Sequence, residues 1–289
     1  MKIALFGTGM MGSGMAERWL GTGNSVAVWN RTVAKARALE PLGAKVYEDP
    51  VVAARGVDAV HIILSDDAAV DALLDRILDT LPKGMLVVDH TTTSPHGAAA
   101  RSERCSRAGV EFLHAPVFMS PQACREGKGL MLVCGPQTRV EHARAHLAAM
   151  TGELWNVGEA PNRAAALKLC GNAMIATIVG GLADVYALAK STGIDPRDAH
   201  ALFEHFKPGL TVDIRGKKMA NGDFSPSFEL TMARKDIRLM LETAQHGGVE
   251  LHLLPALAKR MDDVLAEGYG KSDIGVIAHD AVAQTTATR

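Results

Sequence analysis

A chain of 289 residues, 47% hydrophobic and 22% charged, is long enough for a sizeable core and for two domains. Its formal net charge of −1 gives no electrostatic reason to expect nucleic acid or an anionic membrane as partner. The four cysteines have no C-x-x-C spacing and fit reduced thiols. With no leader sequence ahead of the first apolar run, the expected location is the cytoplasm.

Ile3-Ala4-Leu5-Phe6 reads as a buried strand over 2–6, and Met11, Met15 and Trp19 mark a helix over 10–21. Between them lie Gly7, Gly9 and Gly12, spaced G-x-G-x-x-G. That motif is weak alone and informative between a strand and a helix. Gly7 allows a tight turn, Gly9 lets a diphosphate approach the backbone, and Gly12 lets the helix pack on the strand. Thr8, Met10 and Met11 complete the loop, and the helix start offers unpaired N–H groups to phosphates. The expected ligand is a dinucleotide.

Ser25–Trp29 is the second strand, followed by a helix over 33–41 that stops at Pro41-Leu42-Gly43, and by a short strand at 44–47. Asp58–Leu64 reads as a buried parallel strand whose last residue, Leu64, is assigned to the cofactor. A helix over 67–81, a strand over 85–89, and a helix capped by Thr91–Pro95 that runs to about 108 continue the alternation. Strands at 110–113 and 130–134 follow. Strands separated by helices imply a doubly wound, mainly parallel sheet, the Rossmann arrangement.

Beyond about residue 160 strand signals vanish. Residues 163–191 hold no proline and should form one helix about 43 Å long. Its apolar residues nearly encircle it, so burial on several sides is expected. The apolar run Ala173–Ala183 is too short to span a membrane. Helices near 196–206, 211–221, 230–247, 253–267 and 272–283 complete the chain, and the tail Thr285–Arg289 should fray. The fold class is α/β, with a Rossmann domain over 1–161, a long connecting helix over 162–192, and an all-α domain over 193–289. The last is expected to complete the active site and to form an oligomer interface.

At the end of the second strand an NAD-binding unit usually carries Asp or Glu for the ribose 2′-hydroxyl. Here that place holds Asn30, followed by Arg31 and Thr32. A carboxylate would repel a 2′-phosphate, whereas an amide, a guanidinium and a hydroxyl would bind one. The preference is therefore NADP(H) over NAD(H).

With these motifs in hand, the chain resembles the β-hydroxyacid dehydrogenase family, which includes 3-hydroxyisobutyrate dehydrogenase and glyoxylate/succinic semialdehyde reductase. Gly9–Ala16 is close to its opening signature, and Val28–Thr32 looks like its NADPH-using semialdehyde reductase branch. Asp89–Pro95 matches the segment whose threonine, here Thr92, contacts the nicotinamide end. Lys168-Leu-Cys-Gly-Asn172 matches the catalytic lysine and its asparagine. Lys235 matches a C-terminal lysine that reaches back to the active site. The resemblance implies a reductase of small aldehydes or 2-oxo acids, running reversibly as a hydroxyacid dehydrogenase, and a homodimer or homotetramer.

The residues support the central assignment independently. Lys168 and Asn172 are four apart and share a helix face. A lysine on an apolar helix is unusual, and one that is desolvated can have a lowered pKa and move protons near neutrality. The bland alternative is a snorkelling side chain.

The substrate loop departs from the family. The usual Asp-Ala-Pro-Val-Ser-Gly-Gly is His114-Ala-Pro-Val-Phe-Met-Ser120, so Phe118, Met119 and Ser120 stand where a serine and two glycines hold a substrate carboxylate. This implies a larger or less polar substrate. It also keeps two other readings open, an imine reductase on the same fold and a cofactor-binding scaffold without turnover.

No metal site is assigned. His142 and His146 have a zinc-pair spacing but no third ligand nearby. His200 and His205 lie on different helix faces. Arg125 beside Cys124 could lower that thiol's pKa, yet no general base is placed there. Arg234 and Arg238 read as a solvated face.

Overall fold

The structure, a computed structural model, describes residues 1–283, so the tail expected to fray at Thr285–Arg289 lies outside the described residues. The chain divides into two compact units, Met1–Ala173 and Met174–Arg289.

The first unit follows the predicted alternation, except that the helix expected over 33–41 ends at Arg37 and a short α3 was not expected: β1 (Lys2–Phe6), α1 (Met10–Gly21), β2 (Ser25–Trp29), α2 (Val33–Arg37), β3 (Lys45–Val46), α3 (Pro50–Ala53), β4 (Ala59–Ile62), α4 (Asp67–Ile77), β5 (Leu86–Asp89), α5 (Pro95–Arg107) and β6 (Glu111–His114). These six strands form one sheet in the order β3-β2-β1-β4-β5-β6, every pair parallel. The crossover direction reverses between β1 and β4, the place where such sheets open a crevice at their carboxyl ends.

The near-continuous apolar strands are explained by two covered faces. Ile3, Leu5, Val26, Val28 and Val88 pack with Met15 and Trp19 of α1 on one side. Ala4, Phe6, Val60, Ile62 and Val87 pack with Val70, Leu73 and Leu74 of α4 on the other. Truncating one such side chain, as in Leu5→Ala, should cost about 2–5 kcal/mol.

A second, three-stranded sheet was not legible from the sequence. It comprises β7 (Val117–Phe118), β8 (Leu130–Val133) and β9 (Glu153–Asn156), with α6 (Pro121–Glu126) and α7 (Gln137–Ala148) between them. β7 pairs antiparallel with β8, which sets Phe118 opposite Leu130.

α8 (Arg163–Ser191) is the long helix that was expected, but the expected burial is not observed. Met174, Ile175, Ile178 and Val179 are exposed in the single chain. Among the described residues, nothing covers these four side chains. Over its full 29 residues α8 is long and apolar enough to cross a membrane by length and composition alone, a test that core helices also pass.

The second unit is helical: α9 (Pro196–His205), α10 (Leu210–Ala220), α11 (Leu230–His246), α12 (Leu254–Ala266) and a short α13 (His279–Val282). Leu230, Ala233 and Ile237 of α11 pack on Ala258, Met261 and Val264 of α12. Asp184 accepts hydrogen bonds from the backbone N–H groups of His252, Leu253 and Leu254, satisfying donors at the start of α12. The helix expected over 272–283 is instead a 3₁₀ turn, Ile274–Ala278, followed by α13.

Candidate active site

The helices around the crevice differ at their first turns. Asp66 caps α4 by accepting from Ala69 N–H, and Ser94 caps α5 by accepting from Gly97 N–H. α1 has Gly9 at its N-cap and no side-chain cap, so its first N–H groups are left for a ligand. Gly7 has φ of +104°, and a Cβ there would overlap the Ile63 carbonyl. A Cβ on Gly12 would overlap the Gly7 carbonyl, whereas one on Gly9 would meet nothing within 4 Å. The first and third glycines are thus required by the protein itself. The second leaves space, which is what a diphosphate approaching the backbone needs.

A cavity of about 740 Å³ opens over this loop, lined entirely by residues of the first unit. Of the residues singled out by sequence, Gly7, Gly9, Met10, Met11, Gly12, Asn30, Arg31, Thr32, Leu64, Thr92, Met119 and Lys168 line it. Thr8 lies beneath, its N–H donating to Asn30 Oδ1 at 3.1 Å, while Asn30 Nδ2 donates to the Thr32 carbonyl at 3.0 Å. The Asn30 amide therefore ties the glycine loop to the end of β2. Ser120 caps α6, accepting from Ala123 N–H at 3.1 Å. Lys235 lies on α11 in the second unit, paired with Asp236 at 2.8 Å.

Sequence reasoning missed Lys35, Arg76, His90 and Val117, which also line the cavity. Lys35 stands in the first turn of α2, which begins just after Arg31 and Thr32, and that proximity could have flagged it. Arg76 stands over the Trp29 ring, 5.7 Å from its centroid, and pairs with Asp49 at 3.2 Å, contacts with no local sequence signal. With Arg31 and Lys168 they make four cationic side chains in the lining, which includes no carboxylate among the described residues.

Lys168 is 9% exposed, and burial lowers its pKa from the ordinary lysine value. Its Nζ lies 3.8 Å from the centroid of the Phe118 ring. That contact favours the ammonium form while the surrounding desolvation opposes it. The Phe118 ring in turn fills the space beside Gly171, where any Cβ would overlap it. Asn172 follows Lys168 by one turn of α8.

The remaining candidates fall into structural roles. Burial pushes the Cys124 thiol up to about 11, and Arg125 does not activate it but forms paired bonds of 2.8 and 3.0 Å with Glu17. His146 turns inward onto His61, at 2.8 Å, while His142 stands 3.7 Å from Glu111. Tyr186 bonds His200 at 2.8 Å.

Residues 2–158 match the family described as the NAD binding domain of 6-phosphogluconate dehydrogenase. Residues 163–279 match the family described as NAD-binding of NADP-dependent 3-hydroxyisobutyrate dehydrogenase. The chloroplastic glyoxylate/succinic semialdehyde reductase 2 of Arabidopsis thaliana is 29% identical, across 94% of this chain and 76% of its own. The probable mitochondrial 3-hydroxyisobutyrate dehydrogenase-like 1 of the same plant is 28% identical, across 96% and 83%. An imine reductase from Myxococcus stipitatus in complex with NADP+ shares the fold, with a TM-score of 0.89 at 23% identity, across 96% of this chain and 99% of its own.

Proposed function

Because the chain belongs to the β-hydroxyacid dehydrogenase family of NAD(P)-dependent oxidoreductases, we propose that it moves hydride reversibly between NADP(H) and a small aldehyde or 2-oxo acid, or the matching hydroxyacid. The observation that carries this reading is one cavity that joins an uncapped glycine loop, a cationic wall and a desolvated lysine.

Gly7–Gly12 and the first turn of α1 would hold the diphosphate. Arg31, Thr32 and Lys35 would hold the 2′-phosphate, with Arg76 beside them, and no carboxylate in the lining would repel it. Leu64 and Thr92 would flank the nicotinamide end. When bound, the dinucleotide supplies or takes up hydride. Lys168 donates a proton to the carbonyl oxygen as it becomes an alkoxide, and removes the hydroxyl proton in the reverse direction. Its burial brings the two protonation states closer together near neutral pH. Asn172 orients that lysine or the substrate, and Phe118, Met119 and Ser120 shape the substrate side. Lys235, in the helical domain over 193–289, is carried over from the family role alone, with the helix over 162–192 as the connector.

One observation favours a second reading. The apolar Val117 and Met119 line the cavity where the family carries a small polar loop, which suits a bulkier, less polar imine, whereas Lys168, a proton donor matched to an alkoxide, counts against that reading. NADPH oxidation measured with semialdehydes, 2-oxo acids and cyclic imines separates the two. Turnover on none of them, with NADPH bound, would leave a scaffold instead. We place the protein in the cytoplasm and assign the exposed apolar face of α8 to a homodimer or homotetramer contact; a monomeric mass by light scattering would end that assignment.

A further inference from the structure

Three histidines that the proposed chemistry does not use form one hydrogen-bonded chain. His90 Nδ1 lies 2.7 Å from the carbonyl oxygen of Ala115, His90 Nε2 lies 2.9 Å from His61 Nδ1, and His61 Nε2 lies 2.8 Å from His146 Nε2. The His61 and His90 rings are stacked with an 8° interplanar angle, and Trp19 packs on His61. His61 and His90 are buried, and His146 on α7 is partly exposed.

The geometry allows a single arrangement of protons among three neutral rings. A carbonyl only accepts, so His90 Nδ1 carries hydrogen. His90 Nε2 is then bare and accepts from His61 Nδ1–H. His61 Nε2 is bare in turn and accepts from His146 Nε2–H. Burial pushes His90 down to about 4 and His61 well below its ordinary value, so the rings are neutral near neutral pH. The inner end of the chain closes on a carbonyl, which cannot pass a proton on, so His90 gives no proton outlet to the cavity.

What the chain does is tie three strand exits together. His61 belongs to β4, His90 follows β5, and Ala115 follows β6. The segments leaving those strands carry the cavity wall: Leu64 and Ser65, Thr91 and Thr92, and Val117 and Met119. The Thr91 hydroxyl adds a tie by accepting from Leu64 N–H at 3.0 Å. We propose that His90 is a positioning residue for the nicotinamide end of the cavity, held in its Nδ1–H form by His61 and His146. This rests on the reading that the cavity takes NADP(H).

The test uses the full chain. Nitrogen NMR of histidine-labelled wild-type protein near neutral pH should show Nδ1–H forms for His61 and His90 and an Nε2–H form for His146. His61→Leu, which removes the donor, should weaken NADPH binding about fivefold, the worth of roughly one hydrogen bond. It should leave unchanged the binding of 2′,5′-ADP, which lacks the nicotinamide half. His61→Asn places an amide N–H where Nδ1–H was and should restore NADPH affinity. An Nε2–H or charged His90 in the wild type would overturn the proposal even if no variant folds. Equal loss of both ligands, or no loss of either, would also overturn it. Wild-type protein that binds neither ligand would instead overturn the cofactor reading, and the positioning role with it.

Discussion

The ammonium nitrogen of Lys168 sits 3.8 Å from the centroid of the Phe118 ring, so the residue proposed to move the proton rests on the residue that breaks the family's substrate loop. Two consequences can be measured. Lys168→Ala should lower kcat by about 10²–10⁴ while NADPH still binds, the range for losing a general acid–base group. Unchanged kcat would sink the mechanism.

The pH dependence follows from the direction of the Lys168 shift. Carbonyl reduction needs the ammonium form, so its rate should fall as pH rises through a pKa below the ordinary lysine value, and alcohol oxidation should rise over the same limb. Phe118→Leu keeps the apolar cover but removes the ring quadrupole that favours the cation. The limb should then move to lower pH by about 0.4–0.7 unit, from a contact worth roughly 0.5–1 kcal/mol. A limb that stays in place, or moves up, would contradict this account of the contact.

Cofactor choice should reside in the cationic end of the cavity. Arg31→Ala should weaken NADPH about tenfold or more and NADH little, since a charge-assisted bond contributes roughly 1.5–3 kcal/mol. Lys35→Ala should act in the same sense, and both effects should shrink with added salt. Equal losses for the two cofactors would remove the 2′-phosphate from this end.

The glycine loop separates folding from binding. Gly12→Ala forces a methyl group onto the Gly7 carbonyl and should lower thermal stability as well as NADPH affinity. Gly9→Ala meets no protein atom, so its melting temperature should stay close to the wild-type value while NADPH binding falls. If Gly9→Ala bound NADPH normally, the diphosphate would have to lie elsewhere.

Acid should destabilise the fold through the buried imidazoles. The folded-state pKa of His90 lies at about 4 against 6.5 for the free side chain, and His61 is shifted in the same direction. The unfolded chain therefore takes up protons first. The stability contribution is complete above about 6.5 and is lost as pH falls towards 4, at roughly 3 kcal/mol for His90 alone. Urea midpoints measured across that window should fall. A flat profile would show that the rings are solvated.

Much of this site could be read from the chain because its parts are local. The glycine loop, Asn30-Arg31-Thr32 and the Lys168–Asn172 spacing are each set within a few residues, and short apolar runs, helical spacing and a proline-free stretch placed β1, α1, β2 and α8. What was missed depends on distant partners. β7 is two residues long and exists because β8 accepts it, and α6 begins at a Ser120-Pro121 cap that the family comparison had marked as substrate loop. His61, His90 and His146 meet only after the sheet is built. Arg76 has no signal until α4 lies beside β2. The burial expected for α8 failed because its composition indicates that something covers it without indicating what.

Phe118 and Gly171 are coupled positions. With the Phe118 ring where it stands, a Cβ at 171 would overlap its outer edge, so a side chain at 171 requires the ring to turn aside or position 118 to become smaller. A ring that turns aside also leaves the Lys168 ammonium, so a substitution three residues after the reacting lysine reaches the proton donor through Phe118. Libraries aimed at new substrates should therefore vary 118 and 171 jointly rather than one at a time.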